Sequence, residues 1–254
     1  MIRYAALPNE PEPAGDGAQM LAQNLVALYE TDPDIIASVL PRPLEATDPH
    51  VRVTFAQVDM PGADAPLGAG TFAVKCRHGE IDGFYDLLMI MNREPAVLGG
   101  RDTFGEPKKL GQATLHHDDR AVKGVMTRQG VDLIEVEGTI AEQVEPQPYN
   151  ERYAFYFKFL LDPQGGRFDS DPSLVHVRRG QEDQLRQRIA GTVTLHESRF
   201  DPVVDLPVRQ ILDIVYTESY QTQSGTIVGQ VPGEWVWPFR HQRYDGLIAR
   251  LAPA

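Results

Sequence analysis

Cysteine is nearly absent: Cys76 stands alone in 254 residues. That excludes an intrachain disulfide and any zinc site built on paired thiolates, leaves stability to packing, and fits a reducing, cytoplasmic compartment. Basic residues are also short, with 24 Lys plus Arg against 36 Asp plus Glu and a formal charge of −12. A surface of that sign repels phosphate backbones and anionic headgroups, which argues against nucleic acid or membrane as the main partner. No stretch approaches the roughly 20 uninterrupted apolar residues that a spanning helix needs. Residues 1–17, interrupted by Pro8, Pro11 and Pro13, lack the basic-then-apolar order of a secretion signal. Metal-ligand spacing is missing as well. His116 and His117 are neighbours that point to opposite faces of a strand, and His78, His176, His196 and His241 are scattered. Gly68 and Gly70 form a GxG whose third glycine is replaced by Ala73, and there is neither a P-loop nor a serine-hydrolase elbow. No metal and no cofactor is expected.

What the chain does have is punctuation. Its 22 glycines and 20 prolines cut it into many short elements. One helix is expected to start at residues 31–34, where Thr31 or Asp32 caps and Pro33 sits early, and to stop before Pro41. Residues 20–29 fit either helix or strand. Alternating apolar residues predict strands over 51–58, 71–76, 84–91, 121–127 and 131–140. Residues 152–161 are apolar on both faces and read as a strand covered on both sides. Shorter strands are expected at 174–178 and 191–196, and a short helix at 206–214 with Pro207 at its start. Cys76, in a strand beside Val74, reads as a small buried hydrophobe. This pattern predicts a mainly β, α+β fold: an antiparallel sheet or barrel with a few helices outside, in one domain over residues 1–254.

Residues 94–110 stand out. Glu94, Pro95 and Ala96 lead to Gly99, Gly100 and Arg101, then to Phe104, Gly105, Glu106 and Pro107, with Lys108 and Lys109 directly behind. A lysine pair is usually a solvated face, but a lysine amine freed of its proton is a nucleophile toward ketones. Burial and a second nearby cation both disfavour the ammonium form.

These residues resemble the acetoacetate decarboxylase family: Glu94-Pro95-Ala96, Gly100-Arg101, then Pro107-Lys108-Lys109-Leu110-Gly111, at the family's spacing. Pro41-Arg42-Pro43-Leu44-Glu45 with Val51-Arg52, Phe157-Lys158, and Asp205-Leu206-Pro207-Val208 extend the likeness. The resemblance implies a closed, cone-like antiparallel β-barrel, a homo-oligomer, Lys108 as the Schiff-base lysine, and Lys109 as the neighbour that depresses its pKa. In an extended segment, however, Lys109 faces away from Lys108 and acts through distance, leaving burial as the larger cause.

Departures bear on the reaction. Where the decarboxylases carry an arginine and two glutamates around the substrate carboxylate, ungapped placement puts Ala22, Thr54 and Ala69. Glu106 adds a charge where an aromatic is common. Because i and i+2 of an extended segment share a face, Glu106 can join Lys108 in the cavity as a general acid; alternatively it pairs with Arg101 or Lys109 outside. Arg101, Tyr85 and Phe104 are further candidates to meet substrate, Tyr85 also as an acid/base group. The favoured expectation is a lyase that condenses pyruvate with an aldehyde and dehydrates the product. Decarboxylation of acetoacetate or a related 3-keto acid is the alternative, and a non-catalytic ligand-binding barrel a third. The expected partners are a small keto acid and, for the aldol route, an aldehyde. The aromatics Trp235, Trp237, Phe239 and Tyr244 fit either core packing or a lid.

Overall fold

Alternating apolar residues build eleven strands, with three short helices, in the computed structural model, which describes residues 19–59 and 65–245. The strands are β1 (Met20–Glu30), β2 (Glu45–Val58), β3 (Leu67–His78), β4 (Ile81–Met91), β5 (Lys108–Leu110), β6 (Gln112–His117), β7 (Ala121–Arg128), β8 (Val131–Gln143), β9 (Asn150–Lys158), β10 (Ser173–Leu195) and β11 (Gln210–Gln230). The helices are α1 (Pro33–Val39), α2 (Glu94–Phe104) and α3 (Gly233–Val236).

Seven strands close on themselves in the order β1-β2-β3-β4-β9-β10-β11, because β11 pairs with both β1 and β10. This is the closed, mostly β barrel expected. Its pairings are antiparallel except at one seam, where residues 83–85 of β4 run parallel to residues 153–155 of β9. β10 outlasts the barrel: its first part pairs with β9 and its second with β8, from which β7 and β6 fold back over β2 and β3. Gln57 Nε2 donates to the Leu115 carbonyl across that gap at 3.0 Å.

The larger apolar core lies in this gap, outside the barrel. Leu25, Tyr29, Val53, Phe55, Phe72, Val74 and Ile90 supply the barrel side, and Leu115, Met126, Ile134 and Val136 the outer layer. Gly124 is needed there, since a Cβ would come within 2.5 Å of the Phe55 ring. Inside the barrel only a small apolar cluster remains, including Met89, Met91, Val97, Ala154, Val175 and Val177. Cys76 is buried in the larger core, where desolvation pushes its thiol up.

Residues 20–29, which fit either helix or strand by sequence, are strand. Residues 206–214 hold no helix: a 3-10 turn at Val203–Asp205 precedes β11, whose Ile211 and Ile214 pair with β1. The segments at 174–178 and 191–196 are two ends of one 23-residue strand. Trp235, Trp237 and Tyr244 pack on the larger core, with Trp237 edge-on to Phe168 at 5.0 Å between ring centroids. Among the described residues no helix is long and apolar enough to cross a membrane.

Candidate active site

Helix α2 delivers the lysine pair. Pro95 and the acidic Glu94 suit its first turn, and Gly105 ends it at φ 82° with its N–H directed to the Arg101 and Gly100 carbonyls. No other residue fits there: positive φ disfavours a side chain, and a Cβ would lie 2.7 Å from the Lys158 backbone nitrogen. Glu106 and Pro107 then extend the chain into β5, parallel to β4, with Lys108 opposite Met89 and Lys109 opposite Ile90. Alternation sends Lys108 inward with Met89 and Lys109 outward with Ile90.

Inward, Lys108 and Glu106 line a cavity of about 450 Å³ together with Arg52, Thr54, Ala69, Phe104, Arg152 and Arg179. Lys108 Nζ lies 2.7 Å from Glu106 Oε2, with the lysine side chain 14% and the glutamate side chain 1% exposed. Arg179 donates to Glu106 Oε1 at 2.9 Å and to the Tyr156 hydroxyl oxygen at 2.8 Å, and Tyr156 donates in turn to Asp86 Oδ2. Burial, above all, keeps the Tyr156 phenol protonated. Burial opposes the Arg179 charge, but Tyr156, Asp86 and Glu106 outweigh it and hold the guanidinium above its ordinary value. Burial, only partly offset by Asp86, holds Arg52 below its ordinary value, and its guanidinium stacks 3.9 Å above the Phe84 ring. The groups form one buried chain: amine, carboxylate, guanidinium, phenol, carboxylate.

Outward, Lys109 Nζ meets Asp201 Oδ1 at 2.8 Å and Asp245 Oδ1 at 3.1 Å, and Arg128 binds the same two carboxylates. Its charge is thus neutralised on the far side of β5.

Phe104 lines the cavity, its ring against Gly225. Two candidates do not reach it. Tyr85 is buried on the outer face with Phe157 and donates to Gln242 Oε1 at 2.6 Å. A β-bulge at Leu87 explains this: Phe72 faces Leu88 and Ala73 faces Asp86, so strand phase slips by one. Counting back in twos from Met89 lands on Tyr85, whereas the bulge turns Phe84 and Asp86 inward instead. Arg101 points along α2 to Tyr244, its guanidinium carbon 5.4 Å from that ring. The positions expected to lack charge do: Thr54 and Ala69 are neutral wall, and Ala22 is a buried alanine. The charges enter instead at Arg52, two residues from Thr54 on β2, and from β4, β9 and β10. Asp86, Arg52, Arg152, Tyr156 and Arg179 escaped the sequence reading, although an aspartate inside the apolar run of β4 was a usable signal. His78 and His176, read as scattered, lie 2.9 Å apart between Nδ1 and Nε2.

The family model described as acetoacetate decarboxylase matches residues 6–231. The chain belongs to the acetoacetate decarboxylase family. Among curated relatives, the acetoacetate decarboxylase of Burkholderia cenocepacia is 33% identical over 200 residues, covering 74% of this chain and 78% of that protein. That of Clostridium beijerinckii is 27% identical over 196 residues, covering 73% and 76%. In three dimensions, acetoacetate decarboxylase from Legionella pneumophila superposes with a TM-score of 0.74 at 18% identity, covering 88% of this chain and 94% of that one. The enduracididine biosynthesis enzyme MppR, solved with pyruvate, superposes at 0.70 and 16% identity, covering 84% and 90%. At these identities the structural neighbours establish the barrel fold of the family.

Proposed function

We propose that the protein is a lyase acting on a small keto acid through an imine on Lys108, and that its reaction is aldol condensation of pyruvate with an aldehyde followed by dehydration. The observation that carries this is the Lys108–Glu106 contact of 2.7 Å inside a cavity. Passing one proton from the ammonium to Glu106 yields both a nucleophilic amine and a carboxylic acid beside it. The amine adds to the keto carbon, Glu106 protonates the carbinolamine oxygen, and water leaves. The Glu106 carboxylate then takes a proton from the substrate methyl, and the electrons run into the iminium to give an enamine. The enamine carbon attacks the aldehyde and Glu106 returns its proton to the new alkoxide; the carboxylate then takes a second proton from the former methyl carbon and hands it to the new hydroxyl, which leaves as water as the C=C bond forms, and hydrolysis of the imine frees Lys108. Arg179 keeps Glu106 aimed at the amine throughout.

Decarboxylation of acetoacetate through the same imine is the second reading, favoured by the names of the curated relatives. It needs no α-proton abstraction before carbon dioxide leaves, only protonation of the enamine carbon afterwards, so the product divides the two.

Borohydride reduction in the presence of pyruvate should add mass to the peptide holding Lys108, and Lys108→Met should abolish it. No adduct with pyruvate or acetoacetate would sink the imine. With pyruvate and an aromatic aldehyde, enone absorbance should grow, and Glu106→Gln should slow it about 100-fold or more. Rapid carbon dioxide release from acetoacetate without enone formation would instead establish the second reading.

A further inference from the structure

Two guanidiniums in the cavity make no ion pair, and Asp86 acts on both only from farther off. Arg52 and Arg152 both line it, and no carboxylate among the described residues lies within ion-pair distance of either. Arg52 is 8% exposed, its plane fixed on Phe84, and its buried Nε has no partner. Arg152 is held through one Nη by Gln181 Oε1 at 2.5 Å, and its buried Nε is also unpartnered. Elsewhere in the cavity the charges are matched: Lys108 and Arg179 share Glu106, and Arg179 also faces Asp86. A buried, unpaired cation is costly unless an anion completes it. Arg52, buried against an aromatic ring, and the half-buried Arg152, held by an amide, form an incomplete anion site.

Its place relative to the lysine follows from strand register. Thr54 lies level with Thr71, which pairs with Met89, the partner of Lys108. Arg52 is the next inward position on β2, about 7 Å along the strand.

We propose that Arg52 and Arg152 form a subsite for a carboxylate that stays on the substrate throughout the reaction. Resting on the imine reading above, this deepens it by assigning the place of the 2-keto acid's carboxylate, which is a spectator. Clamping a carboxylate between guanidiniums stabilises the ionised ground state, which opposes its loss as carbon dioxide and favours chemistry at the methyl group instead. The same clamp fixes which face of the imine the methyl presents to Glu106.

Two probes separate this proposal from the imine. Propanoate has a carboxylate and no carbonyl, so it tests the subsite alone. It should raise the thermal midpoint of the wild type and of Lys108→Met, and should not raise that of Arg52→Gln or Arg152→Gln. Butanone has a carbonyl and no carboxylate. Its trapping on Lys108 by borohydride should be unchanged in both arginine variants, which also shows that they fold. Half-saturation of trapping by pyruvate should rise about 10-fold or more in either variant. Equal propanoate stabilisation in wild type and both variants, or unaltered half-saturation by pyruvate, overturns the subsite. Absence of any trapped adduct in the wild type, with the propanoate response intact, removes the imine and leaves the subsite standing.

Discussion

Gly100 offers the sharpest test of the site's geometry. A Cβ at this position would lie 2.5 Å from Lys108 Nζ, 2.6 Å from Lys108 Cδ, and closer still to Glu106 Oε2. Ordinary contact begins near 3.4 Å, so the lysine and glutamate must together yield about 1 Å. In Gly100→Ala two effects oppose each other. Alanine gains about 1 kcal/mol in helix propensity, while overpacking costs about 1–3 kcal/mol, a net loss of about 0–2 kcal/mol. Chemistry suffers more, since misplacing a reacting group by about 1 Å can cost about 100-fold in rate. Gly99 is the matched control: a Cβ there meets nothing within 4 Å, so Gly99→Ala should stabilise by about 0.5–1 kcal/mol and leave the chemistry alone. The assays are urea unfolding and the initial rate of borohydride trapping with pyruvate. If both variants trap at the wild-type rate, or both lose it equally, the close packing of α2 on the amine is refuted.

Lys109→Met should destabilise by about 3 kcal/mol in urea, because it leaves Asp201 and Asp245 to Arg128 alone; trapping on Lys108 should persist, and its loss would restore a tuning role to Lys109. Arg152 is pushed down to about 9, by burial first and then by Arg52 and Arg179. Because burial opposes its charge, Arg152→Met should raise the urea midpoint at neutral pH, and a lowered midpoint contradicts this. Burial and His78 hold His176 below its ordinary value. The unfolded chain takes up a proton there that the folded one refuses, so stability should fall as pH drops below about 6.5. His78→Gln with His176→Gln should flatten that slope in urea titrations, and an unchanged slope assigns the acid sensitivity to other groups.

Much of the fold was legible where one strand face meets the larger core. Val51, Val53 and Phe55 alternate with polar neighbours because one side of β2 is dry, and residues 94–110 announced the lysine segment by motif. The i, i+2 argument also allowed Glu106 beside Lys108, with a pairing to Arg101 or Lys109 outside left open, and turned Lys109 away. What stayed hidden has a common cause. β10 and β11 line a polar interior on one face and solvent on much of the other, so residues 179–190 and 217–230 carry no hydrophobic period to detect. For Tyr85, a single extra residue at Leu87 reverses the phase, and nothing local in the sequence marks it. The arginines come from three separate strands, so only the closed barrel brings them together.

β10 holds β9 through residues 173–181, β8 through 187–195, and β11 across residues 173–188. One continuous span thus serves as a stave of the inner vessel and the hinge-post of the sheet wrapped around it. Vessel and wrapping sheet accordingly do not come apart along this strand. A nick in the middle of this span would loosen the reactive chamber and unseat its jacket together, and grafting either onto another scaffold would have to carry the whole post along.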